Sequence, residues 1–226
     1  GGFMRLSRPG QLGYAIVSML IFGGLILTEL PGLEQLQSYL VFYGILTAAF
    51  FWLLVVPSWL VTRAQIRNKL VLGLVGWIVL IPTWLALTLL KSASFLALVS
   101  VQQAAILLLL VVLVTVWIAD SAAYFSGKRF GKHKLAPQIS PGKTWEGVLG
   151  AWIVVGLYGA ALCYFLDVSC WLVVALWGIT VLSIMGDLFE SLMKRHSDIK
   201  DSGALLPGHG GVLDRIDGLT SSLLLV

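Results

Sequence analysis

An all-α, polytopic integral membrane bundle is the fold class this sequence predicts, with a polar active site between helix ends, and three observations lead there. Hydrophobic residues make up 58% of the chain and charged residues only 12%, with a mean hydropathy of +0.94, values foreign to soluble globular domains. Uncharged runs recur at 9–28, 35–62, 70–90, 92–119, 147–166 and 168–186. At a rise of about 1.5 Å per residue, each can cross a hydrocarbon core about 30 Å thick. Placing the N-terminus in the cytoplasm gathers 14 of the 15 Lys and Arg residues on one face and leaves Lys91 alone on the other, as the positive-inside rule asks.

Taken in order, the runs give six spans, with a seventh expected to begin near Gly218. Residues 1–226 read as a single membrane domain, truncated at both ends: the chain opens on Gly1-Gly2 and stops at Val226 inside an apolar run. A secretory leader does not account for so many long runs. Pro57 and Pro82 fall inside apolar stretches, where they kink or end a helix unless neighbours satisfy the freed carbonyls. Gly23-Gly24 and Gly73 with Gly76 offer surfaces on which helices approach closely. Trp52, Trp59, Trp77 and Trp84 read as packing or interface residues. Asp167 marks the turn of a hairpin between the last two runs, so the polar segments flanking that hairpin emerge on one face. Cys163 and Cys170 lie near this turn and read as packed or lipid-facing thiols, with no metal-ligand spacing.

The first polar segment follows the fourth run. Trp117, Asp120, Ser121 and Tyr124 recur at i, i+3, i+4 and i+7, one face of a helix leaving the membrane. An aspartate at that depth is costly and usually paired or functional. Then come Lys128, Arg129, Lys132, Lys134 and Lys143 among Gly127, Gly131 and Gly142, with Ser140 between. Glycines expose backbone amides and lysines supply point charges, which together suit a polyphosphate. The segment contains no GxxxxGK[ST] string, so it is not a P-loop.

The second polar segment concentrates most of the remaining chemistry. Asp187, Glu190, Ser191 and Lys194 share a helical face at the end of the sixth run, followed by Arg195, Asp198, Lys200 and Asp201. His209-Gly210-Gly211 precedes Asp214, Arg215 and Asp217. Carboxylates so close repel one another unless Lys, Arg or a bound cation compensates. Acidic pairs at two helix ends joined by a glycine-rich turn supply the hard oxygens a divalent cation prefers, and magnesium, which keeps positions open for phosphate oxygens, is the expected ion. Asp187, Asp214 and Asp217 are the expected ligands. His209 is open to three readings: ligand, phosphate donor or turn residue.

These two blocks, Asp120 to Thr144 and Ser191 to Asp217, resemble the signature of the phosphatidate cytidylyltransferase (CDP-diacylglycerol synthase) family. The match covers 117–217 in detail, which is the expected catalytic region, and the other spans as a hydropathy pattern. The resemblance implies CTP and phosphatidic acid as substrates, CDP-diacylglycerol and pyrophosphate as products, and a bacterial inner membrane with the active site facing the cytoplasm. It implies catalytic roles for Asp187, Lys194, Asp214, Arg215 and Asp217. Substrate binding is expected from Asp120, Ser121, Tyr124, Lys132, Lys134, Ser140, Lys143, Arg195, Lys200, Asp201, His209, Gly210 and Gly211. Because neither Lys134 nor Lys143 has a carboxylate directly beside it in sequence, the first block is expected to grip phosphates and the second to hold metal and stabilise charge. A second cation and a homodimer are open expectations; a nucleic-acid partner is not expected.

Competing readings are separable. A polyprenol or other lipid kinase using CTP or ATP would also want metal and lysines at the membrane face, and differs in which phosphorus is attacked. A transporter would place its ionisable residues near the midplane, in broken helices, whereas here they cluster at helix ends. A CDP-alcohol phosphotransferase would carry a DGxxAR string, which this chain lacks.

Overall fold

The computed structural model describes residues 7–28, 30, 32–66, 68–96, 99–196 and 221–222, with side chains described except at 89–105. In chain order the described elements are α1 (Arg8–Leu27), α2 (Glu34–Phe50), α3 (Val56–Thr62), α4 (Lys69–Leu96), α5 (Val99–Phe130), β1 (Lys134–Ala136), β2 (Ser140–Thr144), α6 (Trp145–Leu166) and α7 (Trp171–His196). Six stretches among them are long and apolar enough to cross a membrane: Arg8–Leu27, Glu34–Thr62, Lys69–Thr88, Ile106–Phe130, Trp145–Leu166 and Trp171–His196. Each corresponds to one of the uncharged runs, and the chain is a polytopic, all-α integral membrane protein. Of the seventh span expected from Gly218, only Ser221 and Ser222 are described; both are helical and buried.

The described residues fall into two compact units, one drawn from 1–89 and 193–215, the other from 90–192 and 216–226. In the first, α1 meets α4 through aromatic groups. The Tyr14 ring stacks on Trp77 at 5.4 Å, its hydroxyl donates to the Gly73 carbonyl at 3.1 Å, and the Trp77 indole N–H donates to Ser18 Oγ at 3.0 Å. A Cβ added at Gly76 would lie 2.7 Å from the Tyr14 hydroxyl, so the close approach expected at Gly73 and Gly76 is present. At Gly23 and Gly24 an added Cβ would meet no other described residue within 4 Å. There α1 reaches α4 with a long side chain, Phe22 edge-on to Trp84, and backbone approach is unnecessary.

The second span of this unit is not a plain helix. Between α2 and α3 the backbone widens into a π-helical turn, Phe51–Val55, and Pro57 sits in the first turn of α3. Proline has no N–H to donate and its ring crowds the preceding turn, so the wider turn accommodates it without ending the helix. Phe51, Trp52, Val56 and Trp59 are buried around it. The Trp59 indole closes the span by donating to the Ala64 carbonyl at 2.7 Å.

The second unit is built on α5, α6 and α7 around Val112, Val116, Ala119, Ala151, Val155, Leu176 and Ile179. Small residues let α5 and α6 touch backbone to backbone. A Cβ at Gly147 would stand 2.8 Å from the Ala123 carbonyl oxygen, and one at Gly150 would strike the Ser126 hydroxyl. Asp167 takes the left-handed conformation, φ 51°, which aspartate tolerates better than most residues, and turns the chain from α6 into α7 as its position between the two runs predicts. Trp177 then stacks on Trp152 at 5.9 Å and donates to its carbonyl at 3.0 Å. Two hydroxyls buried among the spans are satisfied by their own helix, Thr115 on Val111 O and Thr180 on Leu176 O; Ser221 donates across to Leu182 O at 2.7 Å, and the buried Ser183 hydroxyl has no partner among the described residues.

An antiparallel hairpin, β1 with β2, stands between α5 and α6, within the basic, glycine-containing segment. Lys134 lies opposite Thr144 and Ala136 opposite Ser140, with a register shift between. The short sheet forms because its base is clamped: the Trp145 N–H donates to the His133 carbonyl at 2.9 Å, and Thr144 caps α6 by accepting from Gly147 N–H at 3.1 Å.

The α5–α6 contact yields a stability test. Gly147→Ala must push a methyl group against the Ala123 carbonyl and should lower stability by about 1–3 kcal/mol, the usual range for overpacking. Gly142→Ala, where no atom lies within 4 Å, should stay within about 0.5 kcal/mol of the parent. Thermal melts of the two variants in one detergent measure the difference; equal melting temperatures would show that the helices are not held by this contact.

Candidate active site

Lys143 and Asp187 meet across the second unit. Lys143 is on β2, with its side chain 22% exposed; Asp187 is near the end of α7, 40% exposed; and Nζ lies 2.6 Å from Oδ2. The ammonium also donates to the Ile184 carbonyl at 3.4 Å. On the other carboxylate oxygen, Oδ1, the Ser191 hydroxyl donates at 3.4 Å, one helical turn further along α7. Glu190, next to Ser191, is buried. A charge pair in this setting is partly desolvated and therefore far less screened than one on an open surface.

Local structure delivers Lys143 to this position. Thr144 keeps an extended conformation as the residue that caps α6, and its side chain is buried there. That fixes the residue before it. The hairpin is also held from outside: His133 Nδ1 is 2.7 Å from Glu146 Oε1, and the His133 N–H donates to both Glu146 oxygens at 3.2 Å. Gly127 and Gly131 admit Thr144 against the end of α5, since a Cβ at either would stand 3.0 Å or less from Thr144 side-chain atoms. Glycine at these two positions is thus explained by packing under the hairpin.

The structure corrects one expectation directly. The sequence around Lys143 offers only Glu146, which is held by His133; the fold supplies Asp187 from α7, across the turn of the α6–α7 hairpin. The division between a phosphate-gripping first block and an acidic second block is therefore bridged by a contact. Lys132 and Lys134 stay exposed on the hairpin, and Ser140 is half-buried at the start of β2. Asp120, Ser121 and Tyr124 do lie along α5 and are all exposed. Ser121 faces a groove between α5 and α6, and Lys128 holds its ammonium 5.6 Å from the Tyr124 ring centroid.

Lys194 and Arg195 occupy the last turn of α7, in the first unit. Asp198, Lys200, Asp201, His209, Gly210, Gly211, Asp214, Arg215 and Asp217 lie outside the described residues. Among the described residues no three His, Cys, Asp or Glu side chains come together as a metal cage; of the three expected ligands, Asp187 is the one described. Its carboxylate, with the Ser191 hydroxyl beside it, offers hard oxygen donors of the kind magnesium takes. Thr144 and His133 fall within the first block, where sequence reasoning gave them no role, and Glu146 lies just beyond it and was missed. A signal for the first was present: Thr followed by an acidic residue in the next turn is a helix start. The His133–Glu146 pair depends on the hairpin and had none.

The sequence profile of the cytidylyltransferase family matches residues 7–226. The phosphatidate cytidylyltransferase of Pseudomonas aeruginosa is 47% identical over 168 residues, covering 66% of this chain and 53% of that protein. Those of Haemophilus influenzae, 47% identical over 124 residues, and Thermotoga maritima, 43% identical over 120, cover 51% and 49% of this chain and 43% and 44% of their own lengths. The chain thus spans about half the length of the curated relatives it matches. Family profile, membrane topology and two polar blocks joined at Lys143 and Asp187 lead to one conclusion: the chain belongs to the cytidylyltransferase family.

Proposed function

We propose that this chain carries the transfer of a cytidylyl group from CTP to phosphatidic acid, giving CDP-diacylglycerol and pyrophosphate, at the cytoplasmic face of a bacterial inner membrane. The observation that supports it most is the 2.6 Å contact between Lys143 and Asp187, which unites a lysine of the basic block with a carboxylate of the acidic one. The names of the curated relatives and the gathering of basic residues on one membrane face support the substrates and the orientation.

The chemistry needs little from a general base. The second pKa of a phosphate monoester is about 6, so near neutral pH the lipid phosphate is already largely dianionic. One of its oxygens forms a bond to the α-phosphorus of CTP; the bond from that phosphorus to the α–β bridging oxygen breaks, and pyrophosphate departs with the electron pair. The obstacle is repulsion between two anions that must be held in line. Lys143, positioned by Thr144 and the hairpin, offers a half-buried ammonium beside Asp187 to receive a phosphate oxygen. Lys132, Lys134 and Ser140 present further donors along the same hairpin, while Lys194, Arg195, Lys200 and Arg215 supply positive charge from the second block. Asp120, Ser121, Tyr124, Asp201, His209, Gly210 and Gly211 complete the proposed binding residues.

Asp187, with Asp214 and Asp217, would hold a divalent cation, magnesium by its donor chemistry, which when bound neutralises charge on the triphosphate. Chain geometry permits Asp217 to join Asp187. Ser221 bonds to α7 at Leu182, about 7.5 Å along the helix from Asp187 at 1.5 Å per residue, and four residues of chain reach at most about 14 Å.

Labelled nucleotide tests the reaction. With phosphatidic acid and magnesium, label from the α-phosphate of CTP should enter lipid and label from the γ-phosphate should leave as pyrophosphate, with ATP a poor substitute. Entry of the γ label alone would make the chain a lipid kinase. Asp187→Asn should lower kcat roughly a hundredfold or more, the scale of several kcal/mol of charge stabilisation, with the helical circular-dichroism spectrum unchanged.

The paired lysine and the exposed one should differ. Lys134→Ala should raise the KM of one substrate about tenfold with little change in kcat, the loss of one charge-assisted hydrogen bond. Lys143→Met should lower kcat as well, and in a double-mutant cycle with Asp187→Asn the two changes should couple by about 0.5–3 kcal/mol in stability. Additive effects would mean that the contact between them is incidental.

A further inference from the structure

On the side of α5 away from α7 lies a second feature, of whose lining the proposed reaction uses only Ser121. A groove of about 840 Å³ runs between α5 and α6, lined by Val114, Trp117, Ile118, Phe125, Phe130 and Val154, with Ser121, Ser126 and Arg129 as its polar members. Trp117 and Ser121 stand two positions on either side of Ala119, which is about 160–200° around the helix, and Ala119 is in the core shared with Leu176 and Ile179 of α7. The groove therefore opens away from α7 and its Asp187. Its walls face outward: Trp117 is 65% exposed and Phe125 69%.

Arg129 gives the groove a chemical direction. It lines one end, it is exposed, and it makes no hydrogen bond or ion pair among the described residues. No carboxylate is among the described residues that line the groove. From Val114 to Arg129 is fifteen residues, about 22 Å of helix at 1.5 Å per residue, which exceeds the roughly 15 Å depth of one leaflet of a 30 Å hydrocarbon core. The volume is within the roughly 300–1,000 Å³ of small-ligand sites. An apolar trough of leaflet depth, with one guanidinium that has no partner among the described residues at the basic membrane face, has the dimensions and charge of a phospholipid whose head is anionic. A guanidinium engages a phosphate with two parallel hydrogen bonds.

We propose that this groove is a site for a resident anionic phospholipid, with one acyl chain lying along Trp117, Phe125 and Val154 and the phosphate on Arg129. The substrate lipid is not the occupant, because the groove opens on the opposite side of α5 from α7. The lipid would bridge α5 and α6 just before the hairpin that carries Lys143, and so brace the pair of helices on which that hairpin stands. This assignment does not rest on the proposed reaction and is tested without it.

Trp117 is the reporter. The full chain is reconstituted in phosphatidylcholine vesicles containing acyl-brominated phosphatidylglycerol or acyl-brominated phosphatidylcholine, and the part of the tryptophan fluorescence absent from Trp117→Phe is followed. The brominated anionic lipid should occupy the site about fivefold more readily than the zwitterionic one, the preference expected of one cation near a membrane surface. Arg129→Gln should bring the ratio to about one, and Arg129→Lys should restore most of it, which separates loss of charge from loss of fold. A ratio near one in the parent, or an unchanged ratio in Arg129→Gln, would overturn the proposal. So would failure of both lipids to quench Trp117, the result expected if a second copy of the chain covers the groove.

Discussion

An ammonium held 2.6 Å from a carboxylate at the boundary of an apolar bundle is the contact on which the arrangement of this chain's polar parts depends. In water two such ions attract by about 1 kcal/mol at 4 Å, and several-fold more where the effective dielectric constant falls to about 20. Lys143 and Asp187 sit in the second situation, each partly withdrawn from solvent. Neither could be left alone there cheaply, since a partly buried charge without a partner bears the desolvation cost unaided. The hairpin, its helix cap and the glycines beneath it serve this meeting. Thr144 fixes the backbone next to Lys143, and Gly127 and Gly131 leave room for Thr144.

The membrane imposes the rest. A bundle with 12% charged residues can place them only where helices end, so a site rich in charge must be a surface site at the interface. That restriction is compatible with joining a water-soluble nucleotide to a lipid, because the two can meet only there. Packing inside the bundle is correspondingly plain. Thr115 and Thr180 turn their hydroxyls onto carbonyls of their own helices, so shape carries most of the association of α5, α6 and α7, through Gly147 and Gly150 on one side and the Trp152–Trp177 stack on the other.

The helical scaffold was legible because its signal is long and redundant: twenty or more uncharged residues admit little besides a membrane helix, and the lysines and arginines mark the ends. The turn at Asp167 and the tight approach at Gly76 were legible for local reasons, a lone aspartate between two apolar runs and a small residue opposite an aromatic one. What escaped depended on tertiary distance. No spacing rule connects Lys143 to Asp187, because the α6–α7 hairpin that joins them contributes only its length. The β1–β2 hairpin was hidden by its own composition, since glycine, proline and lysine disfavour strands, and the sheet exists because Trp145, His133 and Glu146 close its base. The glycines at 127 and 131 have roles, but the roles are those of spacers against Thr144.

The π-helical turn at Phe51–Val55 has a consequence for how the second span tolerates change in length. One residue turns an α-helix by about 100°, and a π-turn is in effect an α-helix with one residue too many. Val41 and Ala48 ahead of the turn and Trp52, Val56 and Trp59 within and after it are all buried, so the extra residue sets the rotational phase that keeps both halves facing inward. Deleting it would yield a more regular helix and a worse span, with the half before residue 51 rotated so that Val41 and Ala48 meet lipid. Regularity and register are in conflict there, and the fold has kept register.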